Sequence, residues 1–478
     1  MIRSNQSKTP GPDDIPALRE RTLRMSIWDV VAWSVMSGFG DLYVAPFAIF
    51  LHAGNSAVAF IGISPFLVGA LAQLLGAFLT DRHHVRKPII LGFVFLQALL
   101  FLPLFFIPLF FRGTAVGAVL ICWSLLLVCA HAATPPWLSM MGDVVPANRR
   151  GDYFGRRSRI SVLIVMAASL VAGAILAVTQ KGGLLWLGYG ILFVTAFVAR
   201  LVSARLVMSH YDPHYAPPKE SFFTFLDFIR QARHSNFTRF AFLNALMLGA
   251  INVASPFFAI YMLRDLHWTY TQFTISTAVF MLTQFLVIHW WGRMGDRFGN
   301  RLVVLCSSFL LPLVPLPWVF TTNFYWLLAG QMLSGISWSG YTIATQNFTM
   351  DAVSSYKRAR VTSYMTILNG AFTWLGGMMI GAMLANRLPA SLSIGTLQIV
   401  FLSSLPFLFI LSAMLRFLAA VLMAFRFQEV RPVEKISTQM AVLRVPGGRA
   451  VAGFLSASAG VWAEKKERDR KKAAEKRQ

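Results

Sequence analysis

Asp41 is the residue whose type and position point most directly to chemistry. It lies about fourteen residues into an apolar segment that begins near residue 27, which corresponds to about 21 Å along a helix rising 1.5 Å per residue. A carboxylate at that depth in a bilayer must face other helices or water. Asp41 could therefore bind and release a proton, or pair with a cationic group. A structural alternative is a neutral or paired Asp that caps a break in the helix.

Other polar residues lie deep in apolar segments. One set recurs at spacings of three and four and so shares one helical face: Gln331, Ser334, Ser337 and Tyr341. Such a stripe is typical of a cavity wall, although amides and hydroxyls also join helices in membranes. We expect one site for protons or substrate to include Asp41, Asn252, Gln284, Gln331 and Tyr341.

Two apolar segments contain residues that weaken helices. Gly38, Gly40 and Pro46 lie in the apolar segment 27–51, and Pro256 lies in the apolar segment 238–262. Backbone groups freed at membrane depth are tolerated only where protein or a cavity satisfies them. Paired breaks in corresponding helices indicate a binding site, although simple packing kinks would leave the same pattern.

The composition is that of a protein with many membrane spans. Of 478 residues, 56% are hydrophobic and 13% are charged, whereas soluble proteins have about a quarter of their residues charged. The net charge of +23 does not indicate nucleic acid, because the charges lie in short loops and a C-terminal tail. The three cysteines fall inside apolar runs, so no disulfide framework is implied. Residues 1–26 are polar and do not form a cleavable signal peptide.

Twelve segments are long enough to cross a bilayer core, which needs about 20 residues per helix. They are 27–51, 57–79, 88–111, 115–135, 159–179, 183–206, 238–262, 272–292, 301–321, 324–346, 362–384 and 396–420. Lys and Arg concentrate in alternate loops, which predicts that both termini are cytoplasmic. We expect a multi-pass protein of the plasma (inner) membrane.

The two halves of the sequence echo each other. Four pairs of landmarks are separated by nearly constant offsets of 208 to 215 residues: Pro46 and Pro256, Gln73 and Gln284, Asp81 and Asp296, Asp143 and Asp351. A duplicated bundle would leave this pattern, and chance alignment of common membrane residues is the alternative. The predicted organisation is a cytoplasmic segment 1–26, a six-helix bundle 27–206, a linker 207–237 with an interfacial helix, a second bundle 238–425 and a basic tail 426–478.

Two short charged loops carry a recognisable motif. Trp290 to Arg301 reads WWGRMGDRFGNR, and Gln73 to Lys87 reads QLLGAFLTDRHHVRK. The pattern G-x-x-x-D-R-x-G-N-R resembles the loop signature of the major facilitator superfamily, which that family carries between helices 2 and 3 and again between helices 8 and 9. The first copy departs from it, because Ala77 stands at the leading Gly. The plainer alternative is that any short loop of this kind collects Asp and Arg.

The resemblance implies an all-α membrane fold of twelve helices in two pseudo-symmetric six-helix bundles, with a substrate site between them. It also implies a cytoplasmic gate of charged residues, whose plainer role would be to set topology: Asp81, Arg82, Asp143, Arg150, Asp296, Arg297, Asp351 and Arg358. The fourth segment lacks the Arg found in many proton-coupled members. The fifth lacks the Gly-Pro-rich pattern of many drug antiporters.

These features favour secondary active transport of a small molecule by alternating access, with a proton taken up by Asp41 as the preferred coupling ion. The protein would act in the lipid bilayer as a monomer, without nucleic acid, cofactor or metal. The single deep carboxylate favours cationic or neutral substrates. An alternative is a transporter-fold sensor or assembly partner that acts through its basic tail. No nucleophile elbow, phosphate-binding loop or metal-ligand cluster supports an enzyme.

Overall fold

The computed structural model describes residues 14–111, 113–146, 150–213, 225–230, 235–353, 355–389, 391–394 and 397–430. Long helices dominate these residues, and we number them α1 to α12 in chain order. They are α1 Asp14–Phe50, α2 Asn55–His83, α3 Lys87–Phe110, α4 Ala115–Val144, α5 Tyr153–Lys181, α6 Leu185–Met208, α7 Asn236–Asp265, α8 Tyr270–Phe298, α9 Asn300–Phe320, α10 Phe324–Ala352, α11 Val361–Ala385 and α12 Leu405–Arg426.

The helices have the length and apolar character of membrane spans. Within the described residues, eleven satisfy both requirements, and α10 is as long as these but less apolar. The polar stripe predicted on this segment accounts for its lower hydropathy. Large apolar side chains such as Phe110, Leu286 and Phe417 point outward, where lipid replaces water as the solvent. The chain is therefore a multi-pass integral membrane protein with an all-α fold.

The first and last helices start at positions that differ from the starts of the predicted segments, whose ends were expected only to within several residues. The first helix begins at Asp14 rather than at residue 27, because the polar stretch before the apolar run is already helical. The last helix begins at Leu405 rather than at residue 396. Residues before it form two short antiparallel strands, Ser391–Ile394 and Leu397–Val400, with Ser391 opposite Val400.

The helices pack in the same pattern in each half. In the amino-terminal half α1 packs on α5 and α6, α2 on α4, and α3 on α4 and α6. The counterparts in the carboxy-terminal half make the same contacts: α7 with α11 and α12, α8 with α10, and α9 with α10 and α12. The halves meet where α2 packs on α11 and α5 on α8. When each helix is replaced by its counterpart in the other half, the α2–α11 contact becomes the α8–α5 contact. A duplicated bundle requires this relationship.

A short helix, Phe225–Arg230, lies in the linker between the halves. Phe228 is buried, with its ring centroid 6.4 Å from that of Phe237 and 5.8 Å from that of Tyr364. This helix is thus attached to the carboxy-terminal half. Residues 214–224 and 231–234 of the predicted linker, and the tail from residue 431 onward, lie outside the described residues.

Candidate functional site

A cavity of about 430 Å³ lies inside the amino-terminal half. All six helices of that half line it, from Asp29, Trp137 and Val207 near one end of the bundle to Asp41 at greater depth. We name that end, where α1 begins and Arg86 and the predicted charged loops lie, the basic end. The volume falls in the range of small-molecule pockets, roughly 300–1,000 Å³.

Asp41 lies at an interruption of α1. The regular helix ends at Phe39, a 3₁₀ turn covers Asp41–Tyr43, and helix resumes over Val44–Phe50. A Cβ atom at Gly40 would lie 2.5 Å from the ring of Phe101, so only glycine fits this close approach. The Asp41 carboxylate lies one helical turn after Ser37 and lines the cavity. The predicted break and the deep carboxylate therefore coincide in space.

A second carboxylate and an arginine extend the polar cluster. Asp29 is buried and accepts a hydrogen bond from Ser203 Oγ at 2.7 Å. Arg157 Nη2 lies 3.4 Å from the other Asp29 oxygen, and its guanidinium is 4.3 Å from the centre of the Trp137 ring. Sequence reasoning missed Asp29 because the apolar run begins at residue 27, whereas α1 begins thirteen residues earlier. Asp41 is thus not the only acidic residue that lines the cavity.

Arg200 of α6 is the other cation in this cavity. Its side chain is buried, Nε donates to Gln97 Oε1 at 2.8 Å, and Nη1 donates to Ser203 Oγ at 3.0 Å. Ionisable residues within spans are costly and mark functional positions. In the sequence, Arg200 stands between Ala199 and Leu201 as a charged residue in an apolar run. That position was the signal by which sequence reasoning could have identified it.

His131 of α4 also lines the cavity. Its Nδ1 lies 3.4 Å from Gln73 Nε2 on α2. The imidazole packs directly on Gly69, where a Cβ atom would lie 2.8 Å from the ring. This contact fixes the ring against α2, so His131 forms part of the cavity wall beside that helix.

The other predicted site residues lie in the carboxy-terminal half and outside this cavity. Tyr341 donates to Asn244 Oδ1 at 2.8 Å, and Asn244 donates to Asn369 at 2.9 Å. Gln331 donates to Ser276 Oγ, and Asn252 donates to the carbonyl oxygen of Leu248, each at 2.8 Å. Gln284 is half-buried on α8. The bonds seen here join or stabilise helices, as buried amides commonly do.

The interruption in α7 corresponds to that in α1. Regular helix ends at Asn252 and resumes at Phe257, immediately after Pro256. The buried Arg416 of α12 donates to the carbonyl oxygens of Ile251 at 3.2 Å and of Leu311 at 3.0 Å. Leu311 begins a 3₁₀ turn within α9. Arg416 thus donates to backbone carbonyl oxygens at two helix interruptions. Such a donor is needed because no water is available in the membrane interior to bond these carbonyl groups.

The charged residues at the basic end form pairs that spacing alone did not reveal. Arg86, fully buried, contacts Asp143 at 2.5 Å and Asp212 at 2.9 Å, and it donates to the Pro213 carbonyl oxygen. Asp81 and Arg82 are exposed. Asp143, predicted for the gate, is therefore paired with Arg86, a residue that the prediction did not include.

The carboxy-terminal half has a related arrangement at its basic end. Asn300 donates to Asp351 at 2.7 Å, and the Arg301 backbone N–H donates to Glu429 at 2.7 Å. Asp296 and Arg297 are exposed. Arg301 is 215 residues after Arg86, the same offset as between Asp81 and Asp296. The side chains of Arg150 and Arg358 lie outside the described residues.

Comparison with known proteins gives partial sequence matches. A family model described as Major Facilitator Superfamily matches residues 240–463. The chain is 24% identical to the quinolone resistance protein NorA of Staphylococcus aureus over 148 residues, which are 30% of this chain and 37% of NorA. It is 30% identical to the class B tetracycline resistance protein of Escherichia coli over 105 residues, which are 22% of this chain and 23% of that protein. The aligned parts thus span less than two-fifths of these relatives.

Solved structures match over most of the chain. A bacterial homologue of the iron transporter ferroportin in an inward-facing state has a TM-score of 0.62 at 13% identity, over 85% of this chain and 98% of that chain. The nucleoside transporter NupG has a TM-score of 0.61 at 13% identity, over 86% and 100%. The D-xylose-proton symporter has 0.57 at 13% identity, over 88% and 99%. At this level of identity the matches show a shared fold, and the family model shows that residues 240–463 of this chain are similar to the Major Facilitator Superfamily.

Proposed function

We propose that this protein is a secondary transporter that moves a small molecule across the membrane by alternating access, coupled to protons through Asp41. The observation that carries the proposal is the location of Asp41 at the α1 interruption, on the wall of a cavity enclosed by membrane helices. A carboxylate in such a place exchanges a proton when the cavity changes its access.

Contacts between the halves support a state that is closed at the end opposite the basic end. Arg264 of α7 donates to Asn55 Oδ1 of α2, and Asn386, after α11, donates to Ser56 Oγ, both at 2.8 Å. These residues lie at helix termini on that side. The cavity reaches toward the basic end through Asp29 and Trp137. A transporter open on one side combines these two features, and we take the basic end to face the cytoplasm, as the loop charges predict.

Untargeted uptake tests transport without the choice of a single candidate substrate. Proteoliposomes containing the purified protein are incubated with a mixture of small metabolites under a pH gradient of either direction, and their contents are identified by mass spectrometry. We expect at least one compound to accumulate relative to empty vesicles, and to do so less with Asp41→Asn. No accumulation in either direction would contradict transport and would favour the sensor or assembly role of the basic tail.

A further inference from the structure

The charge on Arg200 is not neutralised by direct contact with a carboxylate. In the part of the chain that the structure describes, its hydrogen bonds go to the neutral side chains of Gln97 and Ser203. The carboxylate of Asp29 is bound by Ser203 and Arg157. Asp29 and Asp41 act on Arg200 only at a distance, and burying a guanidinium without a carboxylate in direct contact is unfavourable. A counter-ion from outside the chain would recover much of that cost.

The corresponding arginine of the other half is bonded differently. Arg416 follows Arg200 by 216 residues, close to the offset of the other paired landmarks. All three of its nitrogens donate to protein acceptors: Nε to Ser412 Oγ, and the two Nη atoms to backbone carbonyl oxygens. Among described residues, Nη2 of Arg200 makes no such bond, and Arg200 lines the cavity. Arg416 stabilises the helices with all of its donors, whereas Nη2 of Arg200 is available to donate to a ligand in the cavity.

The rest of the cavity wall suits an apolar body. Trp33, Trp123 and Trp137 line it together with aliphatic side chains of α3 and α4. The Trp123 indole N–H is already used, since it donates to the Ile61 carbonyl oxygen and to Ser64 Oγ, each at 3.1 Å. Its ring therefore offers apolar surface rather than a hydrogen bond. Aromatic walls around one charged donor are typical of pockets for amphipathic ligands.

The charged groups of the cavity balance when Asp41 is ionised. Asp29 and Asp41 are the acidic side chains on its described wall, Arg157 and Arg200 are the basic ones, and His131 is the remaining imidazole. With His131 neutral, a proton on Asp41 leaves one net positive charge. A monovalent anion beside Arg200 would restore neutrality. Binding of the proton and of the anion would then favour each other, because such a coupling is reciprocal.

We infer that the cavity binds an organic anion whose acidic group contacts Arg200 and whose apolar body packs on the tryptophans. This inference rests on the proposed function and names the substrate class for it. The deep carboxylate, considered alone, favoured cationic or neutral substrates. Arg157 and Arg200, found on the same cavity wall, change that balance of charge.

Three probes of matched shape test the inference on the purified full chain: 2-naphthoate, the neutral 2-naphthamide and the cationic 2-naphthylmethylamine. Binding is measured as the shift in thermal unfolding, which reports ligand affinity for the folded state. We expect 2-naphthoate to bind most tightly, and more tightly at acidic than at alkaline pH. Arg200→Gln should weaken its binding roughly ten- to hundredfold, as for the loss of a hydrogen bond to a charged group. Asp41→Asn should remove the pH dependence.

The control is Arg205→Gln, which makes the same change at an exposed position of α6 and should leave 2-naphthoate binding unchanged. Equal or tighter binding of the neutral or cationic probe to the unmodified protein would overturn the inference, whether or not Arg200→Gln folds. Binding of 2-naphthoate through Arg200 without any uptake would support the anion site and contradict transport. Uptake restricted to neutral or cationic compounds would support transport and overturn the anion site.

Discussion

The Tyr43 hydroxyl lies 2.9 Å from Thr274 Oγ1, and this hydrogen bond joins the two halves of the protein. Tyr43 shares its 3₁₀ turn with Asp41, and its hydroxyl also donates to the Ser169 carbonyl oxygen at 2.7 Å. A change in the turn on protonation of Asp41 would therefore act on an inter-half contact two residues away. This gives the proposed proton site a direct mechanical connection to the opposite half.

Tyr43→Phe and Thr274→Val should each favour the state that is open at the end opposite the basic end. Each removes the hydrogen bond between the halves, whose net contribution is about 1 kcal/mol, and Tyr43→Phe also removes the bond to Ser169 within its own half. Spin labels at Lys181 and Thr321, near that end of the two halves, would report a longer distance in a larger fraction of molecules. Because the residues share one bond, the double variant should shift the population by less than the sum of the singles. Additive shifts would show that the contact does not couple them.

Arg86→Gln should lower the free energy of unfolding by about 3 kcal/mol, near the lower end of the range for breaking a buried ion pair. The lower end applies because the side chain of Asp143 is 53% exposed, whereas Arg86 is fully buried. Thermal unfolding in detergent measures the change. Arg82→Gln, at an exposed position of the same loop, is the matched control and should change stability little. Equal effects of the two variants would contradict the assignment of Arg86 as the central cation of this network.

His210 should make the fold less stable in mild acid. It is buried beyond the end of α6. Burial lowers its pKa below the ordinary value of 6.5; Asp29 opposes this shift, and Lys87 and Arg157 add to it. The folded state thus favours the neutral ring, so the stabilisation is complete above pH 6.5 and is lost as the pH falls through the lower folded pKa. His210→Gln should reduce this pH dependence of thermal unfolding, whereas His83→Gln, at an exposed position, should preserve it. An unchanged pH profile for His210→Gln would contradict a lowered pKa.

The sequence predicted the architecture well because its signals are local. Apolar segment length placed the helices, and glycine or proline placed the interruptions before Asp41 and Pro256. The polar cluster was harder to predict because its members come from distant segments. Asp29 was hidden by a helix that begins before its apolar run, and spacing gave no indication that Arg86 rather than Arg82 would contact Asp143. Such pairings depend on helix rotation and packing, which periodicity constrains only loosely.

Proton movement driven by substrate tests the role of Asp41 most directly. Proteoliposomes filled with a pH-sensitive dye receive the compound found by untargeted uptake, and the lumenal pH is followed for the unmodified protein and for Asp41→Asn. We predict that the unmodified protein moves protons with the compound, while Asp41→Asn still exchanges labelled compound between the two sides but moves no protons. Proton movement by Asp41→Asn at the rate of the unmodified protein would contradict coupling through this carboxylate.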